Sequence, residues 1–153
     1  MSFQENKKAT LASIASLLLA GAATMNAAGP QITANAPVKN FSLPSFDEQG
    51  FRTMLIRGRE AMLLSANEVK LADMTLTLFS GDAEARVETV FISPSARVLV
   101  DKRIVFGDET VRVVSDELEL LGTDWRYDHE KKTILISKQA RVVFHIELKD
   151  IVK

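Results

Sequence analysis

From Phe41 onward the chain alternates apolar and polar residues with a period of two. The runs are short: Phe51 to Ile56, Met74 to Phe79, Val87 to Ile92, Ala96 to Val100, Ile104 to Phe106, Val111 to Val114, Leu118 to Leu121, Ile134 to Ile136 and Ala140 to Leu148. Alternation sends successive side chains to opposite faces of an extended chain, so each run predicts a half-buried β-strand. Between the runs stand "SGDAE" (80–84), "VDKR" (100–103), "FGDE" (106–109), "LGTD" (121–124) and "YDHEKK" (127–132), which supply glycine, aspartate and charged residues where a chain reverses. Residues 60–72, "EAMLLSANEVKLA", are compatible with a helix, but among so many strands they read as two short strands around Ala66 and Asn67.

One phrase is written twice. "TVFISPSARVLV" (89–100) and "TILISKQARVVF" (133–144) share six of twelve positions and exchange one apolar residue for another at four more. Thr-apolar-apolar-Ile reads as a strand, Ser-x-x as a corner and Ala-Arg-Val-x-apolar as the next strand. Pro94 suits the corner, because proline cannot donate to an internal ladder. A weaker echo, "SANEVKL" (65–71) and "SDELEL" (115–120), precedes each copy with unequal spacing. The expectation is two loosely repeated antiparallel units laid side by side on one core rather than a solenoid.

The N-terminus has a different texture. Lys7 and Lys8 precede an uncharged stretch, "ATLASIASLLLAGAATMNAAG" (9–29), in the order of a secretory signal peptide: basic start, apolar centre, small residues for cleavage. The alternative is a retained anchor in the inner membrane, since about 20 uncharged residues can span a bilayer. Residues 1–28 are therefore read as a signal helix, 29–45 as an extended linker holding three of the four prolines, and 46–153 as one β-domain, exported to a periplasm. At 153 residues, 46% hydrophobic and 25% charged, the chain has material for one core. A net charge of −1 gives no clustered positive excess for nucleic acid. The absence of cysteine excludes disulfides, thiolate metal sites and a cysteine nucleophile.

At "GTDWRYDHEKKTILISKQARVVF" (122–144) and "FSLPSFDEQGFRTMLIRGREA" (41–61) the chain resembles the lipopolysaccharide-transport periplasmic proteins, the LptA/LptC/OstA-like group. The resemblance spans roughly Phe41 to Leu148 and lies in strand texture and turn residues. It implies an antiparallel β-jellyroll of about ten to twelve short strands that binds lipopolysaccharide acyl chains in an apolar groove. It also implies edge-to-edge docking with other jellyroll proteins of a bridge, or with further copies of the same chain.

Site candidates follow from the strand faces. Ala140, Val142, Phe144, Ile146 and Leu148 share one face of the last run, and Ala96, Val98 and Val100 share the matching face of the earlier copy. Val98, Val100, Val142, Phe144 and Ile146 are the lipid-binding candidates. As the last strand, 140–148 is expected to leave an open edge, with Val143, His145 and Glu147 as docking candidates. Arg52, Arg57, Arg59, Arg97 and Arg141 could meet phosphates, although a solvated face opposite nearby carboxylates is the simpler reading. Trp125 and Tyr127 flank Arg126 and read as core closure, and "DHE" (128–130) as a solvated hairpin tip. Neither histidine has a local partner to orient it and no catalytic, metal or phosphate-loop motif is present, so neither an enzyme nor a cofactor is expected. The competing function class is an exported β-domain with a structural or adaptor role and no ligand.

Overall fold

The computed structural model describes residues 36–145. The expected signal helix, the first part of the linker (29–35), and Ile146 and Glu147 lie outside the described residues. Eight strands follow one another: β1 (Val38–Phe46), β2 (Arg52–Ser65), β3 (Glu68–Phe79), β4 (Val87–Leu99), β5 (Ile104–Gly107), β6 (Val111–Ser115), β7 (Leu118–Asp128) and β8 (Thr133–Phe144). They form one antiparallel sheet, so the described chain is all-β.

The sheet is close to a simple meander. β1, β2, β3 and β4 pair in sequence order, and β8 pairs with β7. β5 and β6 together act as one interrupted strand: β5 pairs with the end of β4, β6 with its beginning, and both pair with β7 on their other side. Two expectations are corrected here. Among the described residues there are eight strands, several of them long, rather than ten to twelve short ones. The repeat copies β4 and β8 are not neighbours, because β5, β6 and β7 lie between them. β1 also begins at Val38, inside the segment read as linker, where Phe41 and Leu43 turn partly inward.

A crease crosses every long strand, and it explains the strand count. The β3–β4 ladder passes from Ala72↔Ser95 to Met74↔Ser93, leaving out Asp73 and Pro94. The β1–β2 ladder omits Asn40 and Arg59, and the β2–β3 ladder omits Gly58, Arg59, Asp73 and Met74. Asn40, Asp73, Asp124 and Gln139 have φ of 55, 50, 53 and 52°, the left-handed region that asparagine and aspartate tolerate best among residues with a side chain. At Pro94 the strand bends without an N–H to give up, and the buried Ser93 hydroxyl donates to the Ser95 carbonyl at 2.8 Å. The Ser-x-x corner of the repeat is thus real, but it folds a strand instead of ending one.

Across the crease the buried positions step by three instead of two: Leu71 to Met74 on β3, Ser93 to Ala96 on β4. Both halves of β2, β3, β4 and β7 therefore turn their apolar side to the same interior. The halves face each other as two layers. Phe91, from one half of β4, packs on Tyr127 and Trp125, from the far half of β7, at ring-centroid distances of 4.9 and 6.5 Å. Ile56, Leu71, Met74, Leu76, Val105 and Val111 fill the space around them.

Glycine sits where layer and crease leave no room. A Cβ on Gly107 would lie 2.9 Å from the Ser95 carbonyl oxygen and 3.0 Å from Trp125 Nε1. Gly107→Ala should therefore destabilise the fold by about 1–3 kcal/mol through overpacking against backbone, measured by urea denaturation. A change within experimental error would show that the crease can widen freely.

Candidate functional site

The two layers do not close evenly. Between β1 and β2 on one side and the β4–β5 hairpin on the other lies a groove of about 350 Å³. Leu43, Pro44, Phe46, Met54 and Ile56 form one wall, and Val98, Val100 and Val105 the other, with the exposed Arg103 at the mouth. Local sequence builds each wall. Alternation on β1 turns Leu43 and Ser45 inward, and on β2 it buries Met54 and Ile56. The opposite wall ends in the turn 100–103, where the Arg103 N–H donates to the Val100 carbonyl at 3.4 Å and Arg103 takes a φ of 52°.

Two of the lipid-binding candidates, Val98 and Val100, lie in this groove. Val98 is buried and forms floor, whereas Val100 is 40% exposed at the rim. Val142 and Phe144 are elsewhere. They stand opposite Leu120 and Leu118 on β7, 46% and 64% exposed, and share no continuous wall with Val98 because β8 pairs with β7 rather than β4. Ile146 lies outside the described residues. The residues missed from sequence are Leu43, Pro44, Met54 and Ile56; the first two fell in the supposed linker, although Phe41 and Leu43 already alternate there.

Among the described residues β8 pairs on one side only, as does β1. Along this unpaired side of the described β8 the outward hydrogen-bonding groups are out of step with the expected residues. The His145 N–H donates inward to the Glu117 carbonyl at 2.8 Å. In an antiparallel ladder alternate residues bond alternate sides, so Val143, opposite Glu119, also turns its backbone to β7. The groups facing out along the edge are those of Val142 and Phe144. Glu147 lies outside the described residues.

His129 overturns the reading of "DHE" as a solvated tip. It is buried, directly after β7, on the face that carries Trp125 and Tyr127. That every-second-residue spacing is the signal that could have found it. Its Nδ1 lies 3.1 Å from the Tyr127 hydroxyl and its Nε2 3.2 Å from Thr53 Oγ1, while Thr53 donates to the Ser45 carbonyl at 3.4 Å. One tautomer satisfies all three: Tyr127 donates to Nδ1, Nε2–H donates to Thr53, and Thr53 donates onward. The His129 backbone N–H donates to the Arg103 carbonyl at 3.1 Å. Burial, then the nearby Lys132 and Arg103 cations, push the imidazole down to about 4. Burial pushes the Tyr127 phenol up to about 12, which keeps it a donor.

The arginines divide by partner. Arg97 pairs with Glu68 and Arg59 with Asp73 and Glu60, all on exposed faces where such pairs contribute little. Arg52 lies 4.0 Å over the Phe79 ring. Among the described residues no group of three or more His, Cys, Asp or Glu is gathered for a metal. No protein-family model matches the sequence, and no curated protein matches it.

The His129 environment fixes a pH dependence. Above about pH 6.5 the imidazole is neutral in both folded and unfolded chains, and its full contribution to stability is present. As pH falls below that value the unfolded chain takes up a proton that the folded one refuses, so stability falls, by up to about 1.4 kcal/mol per pH unit, until about pH 4. Urea denaturation at steps between pH 7 and 4.5 should show this slope in the wild type and lose that share of it in His129→Phe. Equal slopes would mean that the imidazole titrates normally.

Proposed function

We propose that this protein is a periplasmic, jellyroll-type module of a lipopolysaccharide-export bridge. In this reading it shields part of a lipid's acyl chains in the groove between its layers and docks edge to edge with other jellyroll modules. The single observation that carries the reading is the groove itself: apolar walls left unfilled beside a packed core, at the small end of the range of ligand sites. A purely structural domain gains nothing from leaving Leu43, Pro44, Phe46 and Val100 as an uncovered apolar cleft above the buried Met54, Val98 and Val105. The exposed Arg103 at the mouth suits an amphiphile with an anionic head, since a guanidinium pairs with phosphate through two parallel hydrogen bonds. Among the described residues two sheet edges have no partner strand, which supports the docking half of the reading, because exposed edges are normally blunted unless a partner pairs there.

A second reading, an exported structural or adaptor domain without a ligand, is favoured by one observation. Away from the groove the interior is filled, with Phe91, Leu71, Met74 and Leu76 almost wholly inaccessible.

Photoreactive residues separate the two. Placed at Val100, such a residue should trap lipopolysaccharide in exporting cells, and placed at Arg97, on the outer face, it should not. Val100→Asn should keep the fold, since the side chain is already 40% exposed, and weaken lipid binding about tenfold, equivalent to about 1.4 kcal/mol. Absence of any adduct at Val100 would hand the function to the second reading.

For docking, Phe144→Pro should abolish crosslinking to a partner module and leave the β7–β8 ladder in place, because its N–H faces the open edge. Val143→Pro should instead cost stability by removing an internal ladder bond. Crosslinking that survives Phe144→Pro would exclude pairing along β8.

A further inference from the structure

The bond between His129 and Thr53 joins parts of the sheet that are not neighbours. Thr53 lies at the start of β2 and His129 directly after β7, 76 positions apart. Among the described residues it is the one side-chain hydrogen bond that ties one layer to the other; the rest run within a strand, across a turn or between adjacent strands. It sits at the end of the groove, since Ser45, whose carbonyl accepts from Thr53, and Arg103, whose carbonyl accepts from the His129 backbone N–H, both line that groove. Opposite the bond, every long strand crosses the crease, where ladder pairs are missing and Asn40, Asp73, Asp124 and Gln139 sit in the left-handed region.

We propose that the crease is a hinge and the Tyr127–His129–Thr53–Ser45 chain its clasp, so that releasing His129 lets the two layers swing apart and opens the groove along its length. The clasp deepens the lipid-carrier reading by giving the groove a way to admit a chain from the side, and it rests on that reading only for its use.

The chemistry of release lies in the imidazole's surroundings. Tyr127 and Asp128 face it from β7, Lys132 from the β7–β8 turn, and Arg103 from the β4–β5 turn, while Glu88 at the start of β4 faces Lys132. The Lys132 ammonium is 3.4 Å from both ring nitrogens. A proton on Nδ1 removes the acceptor that Tyr127 uses and places a cation among Lys132 and Arg103, with only Asp128 to offset it. The neutral ring holds the layers together; the charged ring is pushed out.

The chain has no cysteine, so two introduced ones report a single distance. Spin labels at Ser42→Cys on β1 and Lys102→Cys in the β4–β5 turn, both exposed positions on opposite walls, measure the gap between layers. At pH 7 the full chain should give one narrow distance. Thr53→Val, which takes away the Nε2 partner at nearly constant volume, should shift it to a longer and broader distribution at pH 7. Tyr127→Phe should do the same to a smaller extent, and acid should do so in the unsubstituted pair as pH approaches 4, each with the strand signal in circular dichroism retained. An unchanged distance in both variants overturns the proposal. Loss of the strand signal together with the shift overturns it as well, since the bond would then hold the fold and not a gate. The assay contains no lipid: if the layers open but a dansyl-labelled fatty acid does not bind faster to Thr53→Val, the clasp stands and the lipid-carrier reading falls.

Discussion

The structure depends on β2, β3, β4 and β7 keeping their apolar side toward one interior on both sides of a fold line. A straight strand bent over a core would lose that match, because strict alternation would carry Met74 and Leu76 to the surface once Val69 and Leu71 were inside. Asp73 on β3 and Asp124 on β7, in the left-handed region, and Pro94 on β4 reset the phase in their strands. The irregularities are aligned from strand to strand, so most of the ladders keep their register through the bend; β7 and β8 alone shift by one at Leu121/Thr123. Each large apolar side chain that stays inside contributes about 1.5–3 kcal/mol, so the alignment outweighs the few hydrogen bonds missing along the crease.

The crease also decides what could be read in advance. The alternating runs were legible, and with them the all-β antiparallel class, the reversal at Ala66 and Asn67, and the burial of Trp125 and Tyr127. The runs broke between Ile92 and Ala96 and between Ile136 and Ala140 because the phase resets there, and a broken phase looks the same whether the chain bends or turns back. Eight strands therefore read as more. The repeat was legible as an element used twice, but it reads as two strands about a corner where the chain forms one bent strand, and its placement was not legible, since pairing order depends on the interrupted strand β5/β6 inserting itself after β4.

The groove was half legible for a related reason. Val98 and Val100 announce an apolar face, but a void arises only from the distance at which two layers meet, and nothing local to either wall records that distance. Proline at 44 drew attention from Leu43, although an edge strand tolerates proline where its missing N–H would face outward. His129 was hidden by its neighbours: flanked by Asp128 and Glu130 it has the company of a turn, and only its spacing from Tyr127 places it inside.

The order of pairings carries a consequence for how the chain acquires this shape. β1 with β2, β2 with β3, β3 with β4 and β7 with β8 are pairings of consecutive segments, each joined by a short reversal. Contacts between near segments form quickly, because little chain entropy is lost in closing each loop. The sheet can therefore assemble hairpin by hairpin from either end, with the two layers still apart. Joining Thr53 to His129 is different in kind, since it must gather a loop of most of the domain. Layer closure is thus the natural last event of folding, and a late event on the way in is also the first to reverse on the way out.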